Sequence, residues 1–102
     1  MILKFSTLTR SDLKEINSYL REHGEKPSQA FRKSFESFCS QVSNFPFMYS
    51  ICEYHTEYRK AVIAFDYLVY YKVDNAKNEI LIFRVLHGKR NVKQMIQETD
   101  VL

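Results

Sequence analysis

The chain has 102 residues, 45% of them apolar, with only two glycines and two prolines. That is enough for one packed domain over residues 1–102, and it argues against a disordered or loop-rich chain. Its 15 basic and 12 acidic residues leave a net charge of +3, which permits a nucleic-acid or acidic-protein partner without demanding one.

The N-terminus, MILKFSTLTR, has no apolar run of signal-peptide length, and no stretch approaches the ~20 apolar residues that span a bilayer, so a cytoplasmic protein with no membrane partner is expected. Residues 2–8, ILKFSTL, alternate apolar and polar and predict a short strand. Thr9 stands where a helix cap belongs, with Asp12 three residues on in the manner of a capping box. Leu13, Ile16 and Leu20 then share one helical face, and Gly24 supplies a stop. A second helix is expected after Pro27 with Ser28 as its cap. Phe31, Phe35, Phe38, Cys39 and Val42 form its apolar stripe, Arg32, Lys33, Glu36, Ser37 and Ser40 its polar face, and Pro46 ends it. The short connection predicts an antiparallel helical hairpin.

Residues 58–65, 67–73 and 79–87 are rich in β-branched and aromatic side chains and read as strands, with DNAKN (74–78) as a hairpin turn. Asn91 can cap a short last helix over 91–98 that turns Val92, Met95 and Ile96 inward. The fold class is therefore α+β: an antiparallel sheet with a helical hairpin on one face and a short C-terminal helix. In the last strand Ile80, Ile82 and Leu86 are expected on one face and Leu81, Phe83 and Val85 on the other. The face away from the hairpin needs a cover, either the chain's own tail or a partner.

The sequence contains no glycine-rich phosphate loop, HExxH or GxSxG. His23, His55 and His87 are too scattered for a metal site, and neither metal nor cofactor is expected. Cys39 and Cys52 have no CxxC spacing and read as reduced, buried thiols rather than a disulfide. Arg84 sits inside an apolar strand. It needs an edge position, a carboxylate such as Glu53, Glu57 or Asp66, or a ligand. From Arg84 to Lys93 there are four basic residues, a histidine and no acid. In that cluster Arg90 offers a planar fork for phosphate, Lys89 and Lys93 mobile charges, and His87 a proton donor or acceptor. Gly88 permits the turn that gathers them, and Arg59 and Lys60, at the start of an earlier strand, are expected nearby. The competing reading is a solvated basic turn that discourages edge pairing.

The element order and the run YRKAVIAFDYLVYYKVDNAKNEILIFRVLHGKRN resemble the RelE/ParE family of bacterial type II toxin–antitoxin toxins. SDLKEINSYLREHG looks like that family's first helix and SQAFRKSFESFCSQVSNFP like its second, so the resemblance covers nearly the whole chain. It implies a βααβββ fold and a cognate antitoxin that wraps and neutralises the toxin. It also implies one of two targets: mRNA in the ribosome, which RelE-like members cut, or DNA gyrase, which ParE-like members poison without being nucleases. RNA cleavage by a ribose 2′-hydroxyl requires a base, an acid and charge stabilisation at the phosphate. Arg90 matches the family's last-strand arginine and Arg59 a basic strand position, with His87 as acid or base. Where the ribonuclease branch carries an arginine after a tyrosine, Tyr67 is followed by Leu68, and no tyrosine occurs after Tyr71. The resemblance thus points to a ParE-like gyrase inhibitor, with a RelE-like endonuclease and a non-toxic corepressor as alternatives. In either toxic branch Arg84, Lys89, Arg90, Lys93 and Lys60 are the target- or phosphate-binding candidates. Leu13, Ile16 and Phe83 are the expected antitoxin contacts.

Overall fold

The computed structural model describes residues 1–101, with side chains through Glu98; Leu102 lies outside the described residues. In chain order the elements are β1 (Ile2–Phe5), α1 (Thr7–Arg21), α2 (Glu25–Asn44), β2 (Arg59–Ile63), a 3-10 turn (Ala64–Asp66), β3 (Tyr67–Asp74), β4 (Glu79–His87) and α3 (Val92–Val101). The four strands lie side by side in the order β1-β4-β3-β2.

β2, β3 and β4 pair antiparallel as expected, but β1 runs parallel to β4, from Ile2↔Glu79 to Phe5↔Ile82. The sheet is therefore mixed and not wholly antiparallel. The cause is the connection: the helical hairpin carries the chain from β1 to the far edge at β2. Two successive hairpins then return it, so β4 arrives beside β1 pointing the same way.

The hairpin covers one face of the sheet. Ile16 and Leu20 of α1 and Phe31, Phe38 and Val42 of α2 pack on Ala61, Val69, Tyr71, Ile80, Ile82 and Val85. The opposite face is covered by the chain itself. Cys52 and Tyr58 from the segment before β2, and Ile96 from α3, bury Tyr70 and Leu86, with Phe83, Val92 and Met95 partly buried beside them. Both cysteines are free thiols.

Three local expectations are corrected. The helix cap is Ser6, whose Oγ accepts from the Thr9 N–H at 3.0 Å; Thr9 instead donates its hydroxyl to the Ile82 carbonyl at 3.0 Å, and Ser6 donates to the Phe83 carbonyl at 2.6 Å. These hydroxyls satisfy β4 carbonyls just where β1 ends. Second, α2 begins at Glu25, not Ser28. Gly24 is its N-cap at φ 114, while Ser28 is buried and donates to Asn17 Oδ1 at 2.7 Å. Third, the ladder steps from Tyr71↔Ile82 to Tyr70↔Arg84, which makes Phe83 an extra residue in β4. A bulge reverses the alternation beyond it, so Val85 joins Ile80 and Ile82 under the hairpin and Leu86 joins Phe83 on the α3 face.

Candidate functional site

β4 ends at His87 in a tight turn. The Gly88 N–H donates to the Asp66 carbonyl at 2.8 Å and the Arg90 N–H to the His87 carbonyl at 3.0 Å. Glycine serves close approach here: a Cβ at position 88 would lie 3.1 Å from Asp66 O. The turn is thereby latched to the 3-10 segment, where Phe65 and Asp66 both adopt φ 60. A left-handed backbone at a bulky residue costs about 1–3 kcal/mol, and the fold holds this one while leaving the Phe65 ring 47% exposed.

Between this latched pair and α1 opens a cleft of about 690 Å³. Ile16, Leu20, Pro27 and Val85 contribute its apolar lining; Tyr19, Phe65 and Tyr67 add aromatic rings, and His87, Lys89 and Arg90 stand on one side with Glu15 and His23 on the other. The His87 ring meets Tyr67 edge-on at 4.9 Å, and its Nδ1 accepts the Lys89 N–H at 3.1 Å, which leaves the proton of the neutral ring on Nε2. Burial, with Tyr19 and Glu15 close by, raises the Tyr67 phenol above its ordinary range, so at neutral pH it is a hydrogen-bond donor. Lys89 and Arg90 are exposed and form no ion pair among the described residues.

Of the candidates, then, His87, Lys89 and Arg90 come together, and four others do not. Lys93 is exposed on the first turn of α3, outside the cleft lining. Arg84 pairs with Asp12, which was expected to be a capping residue: Nε to Oδ2 at 2.9 Å and Nη2 to Oδ1 at 2.8 Å. Asp12 Oδ2 also accepts the Val85 N–H at 3.0 Å. The two side chains are 11% and 7% exposed, so this guanidinium joins α1 to β4 rather than facing a phosphate, and its carboxylate is none of the three anticipated. Arg59 and Lys60 are not near the turn. Ile63 aligns with Tyr67, and Tyr67 with His87, so Arg59 is four residues, about 13 Å, back along the sheet. Its Nη1 donates to the Tyr49 carbonyl at 2.7 Å and its guanidinium lies 5.0 Å from the Phe47 ring centre. Lys60 sits 5.5 Å from the Tyr54 ring.

The expected antitoxin contacts are also largely enclosed. Ile16 is core and Leu13 packs against it, while Phe83 stacks on Tyr58 at 4.4 Å. The exposed apolar surface lies elsewhere, on the α2–β2 connection, where Phe45, Phe47, Met48 and Ile51 are all more than half exposed. The run NFPFMYSI carried that signal, since it is apolar without strand or helix periodicity. Tyr19, Phe65 and Tyr67 were missed as cleft residues because only tertiary folding brings them together. Among the described residues no group of three or more His, Cys, Asp or Glu can hold a metal, and no helix is long and apolar enough to cross a membrane.

The sequence profile described as "ParE toxin of type II toxin-antitoxin system, parDE" matches residues 3–92. Among solved structures the chain is similar to the chromosomal ParDE TA system from P. aeruginosa, with TM-score 0.62 and 19% identity over 85% of this chain and 95% of that one. It is also similar to the isolated E. coli RelE toxin, with TM-score 0.62 and 14% identity over 99% of this chain and 98% of that one. At such identities the structural likeness bears on the fold alone. No curated protein matches the sequence significantly.

Proposed function

Because the chain belongs to the ParE toxin family of type II toxin–antitoxin systems, we propose that it arrests growth as a non-enzymatic inhibitor of DNA gyrase, acting in the cytoplasm and neutralised by a cognate antitoxin. The observation that carries this reading over RNA cleavage is the separation of Arg59 from His87 and Arg90, which share the β4 exit. Arg59 lies two strands across from β4 and about 13 Å along the strand direction from the level of His87, and its guanidinium donates to the Phe47 and Tyr49 carbonyls. A scissile phosphate needs its clamp, base and acid within hydrogen-bond reach at once, and Arg59 does not reach the turn that holds His87 and Arg90.

A protein target suits the exposed apolar surface of Phe45, Phe47, Met48 and Ile51, flanked by Arg59, because aromatic residues, Met and Arg are the side chains enriched in interface cores. Induction of the protein alone in bacteria is expected to arrest growth, and the purified chain to inhibit gyrase supercoiling while leaving mRNA intact on translating ribosomes. Replacing Phe47 and Met48 by Ser is expected to weaken gyrase inhibition about tenfold or more, the scale of interface hot spots. Unharmed growth refutes toxicity, and ribosome-dependent cleavage abolished by Arg90→Ala refutes the gyrase reading in favour of the nuclease.

A further inference from the structure

The cleft beside the β4 exit plays no part in that reading. It lies on the helical-hairpin side of the sheet, and the α2–β2 connection contributes none of its lining. Its volume, about 690 Å³, falls in the range of small-molecule sites, which combine an apolar floor with a few convergent polar groups. Two aromatic rings stand half-exposed around it, Tyr19 at 55% and Phe65 at 47%. Phe65 is held there at φ 60, an outlier of the kind that clusters at ligand clamps. The latch from Gly88 to Asp66 fixes Phe65 and the cationic turn as one unit.

We propose that this cleft binds a nucleoside monophosphate, its base against Tyr19 and Phe65 and its phosphate on Lys89 and Arg90. Aromatic faces beside cations are the general means of holding a base and its phosphate. The Lys89 and Arg90 charges lie at one end only. Glu15 lines the opposite side of the cleft, where it can accept from the amino group of a base. It would repel an extended polyanion or an acidic peptide running through the site, which favours a single nucleotide over a strand. Tyr67, a protonated phenol, and the Nε2–H of His87 add donors between the two ends. This inference holds whichever target the toxin has.

The test is an NMR titration of the isotope-labelled full chain with GMP, guanosine and inorganic phosphate in parallel. The expected result is saturable shifts centred on Tyr19, Phe65, Tyr67, His87, Lys89 and Arg90, with GMP binding about tenfold or more tighter than either fragment, as joint stacking and phosphate contact require. Phe65→Asn removes the ring at a φ that Asn tolerates, so a fall in affinity with this variant is not a failure to fold. It and Arg90→Ala should each weaken GMP about tenfold, while Lys93→Ala, outside the cleft, leaves it unchanged. The proposal is overturned if no shifts saturate, if phosphate alone matches GMP, if Lys93→Ala weakens binding as much as Arg90→Ala, or if an acidic peptide saturates the same residues while GMP is silent.

Discussion

Asp12→Ala removes the carboxylate that ties α1 to β4. Three charge-assisted contacts go with it: two from Arg84, at 2.9 and 2.8 Å, and one from the Val85 N–H, at 3.0 Å. With the side chains of Arg84 and Asp12 only 11% and 7% exposed, water cannot easily replace the missing partner, and breaking a buried pair from one side costs about 3–5 kcal/mol. At about 1.5 kcal/mol per M the urea midpoint falls by roughly 2–3 M, which brings a domain at the low end of ordinary stability, about 5 kcal/mol, close to unfolding. Asp12→Asn keeps an acceptor for the Val85 N–H and costs less. The decisive measurement is a double-mutant cycle with Arg84→Met. Once the guanidinium is gone, Asp12→Ala should cost less by about 1–3 kcal/mol, and the coupling should persist in about 1 M salt because the pair is shielded from solvent. An Asp12→Ala variant that loses less than about 1 kcal/mol, or a cycle that adds without coupling, refutes the assignment of this pair as the α1–β4 tie.

Three further outcomes are expected. Burial pushes the Tyr71 phenol up to about 12 and raises that of Tyr70 as well. Their folded pKa values thus lie above the unfolded value of about 10, so the stability they contribute is complete below about pH 10 and is lost as pH rises towards 12. Urea midpoints should hold steady up to about pH 9 and fall steeply above pH 10, and phenolate absorbance from both residues well below that window contradicts their burial. Phe65→Asn relieves a φ of 60 and should stabilise the chain by about 1 kcal/mol, or roughly 4–8 °C in Tm; a lower Tm shows the ring to be structural. Gly88→Ala places a Cβ 3.1 Å from Asp66 O and should cost about 1 kcal/mol, read as a lower Tm with faster hydrogen exchange at residue 88. An unchanged Tm and a protected amide at that position dismiss the latch.

What the sequence made legible follows from local periodicity. The stripe from Phe31 to Val42 names the buried face of α2, and the β-branched and aromatic runs name β3 and β4, because each signal lies inside its own element. The pairing of β1 was not legible, since its partner is 77 positions away (Ile2↔Glu79) and nothing near Ile2 points to it. In STLT, among three hydroxyl residues, Ser6 and Thr9 compete to cap α1. Ser6 prevails because Thr9 is drawn to the Ile82 carbonyl, a tertiary effect. The bulge at Phe83 has no glycine or proline to mark it, so strict alternation misassigned Val85 and Leu86. The partner of Arg84 was sought on or near the strands, whereas the packing of α1 delivers Asp12. The basic turn was visible as a cluster, but the cleft beside it needs rings from α1, the 3-10 turn and β3.

The same 77-residue separation between β1 and β4 governs how the protein comes into being. A ribosome adding about 5–20 residues per second makes β4 roughly 4–15 s after β1. Until then β1 has no strand to pair with, and the Ser6 and Thr9 hydroxyls lack the Ile82 and Phe83 carbonyls they bond in the finished protein. The core beneath the helices lacks Ile80, Ile82 and Val85 for the same interval. A nascent chain or a truncated message therefore yields no closed sheet. Each molecule closes its sheet only near the end of synthesis, once β4 has arrived beside β1.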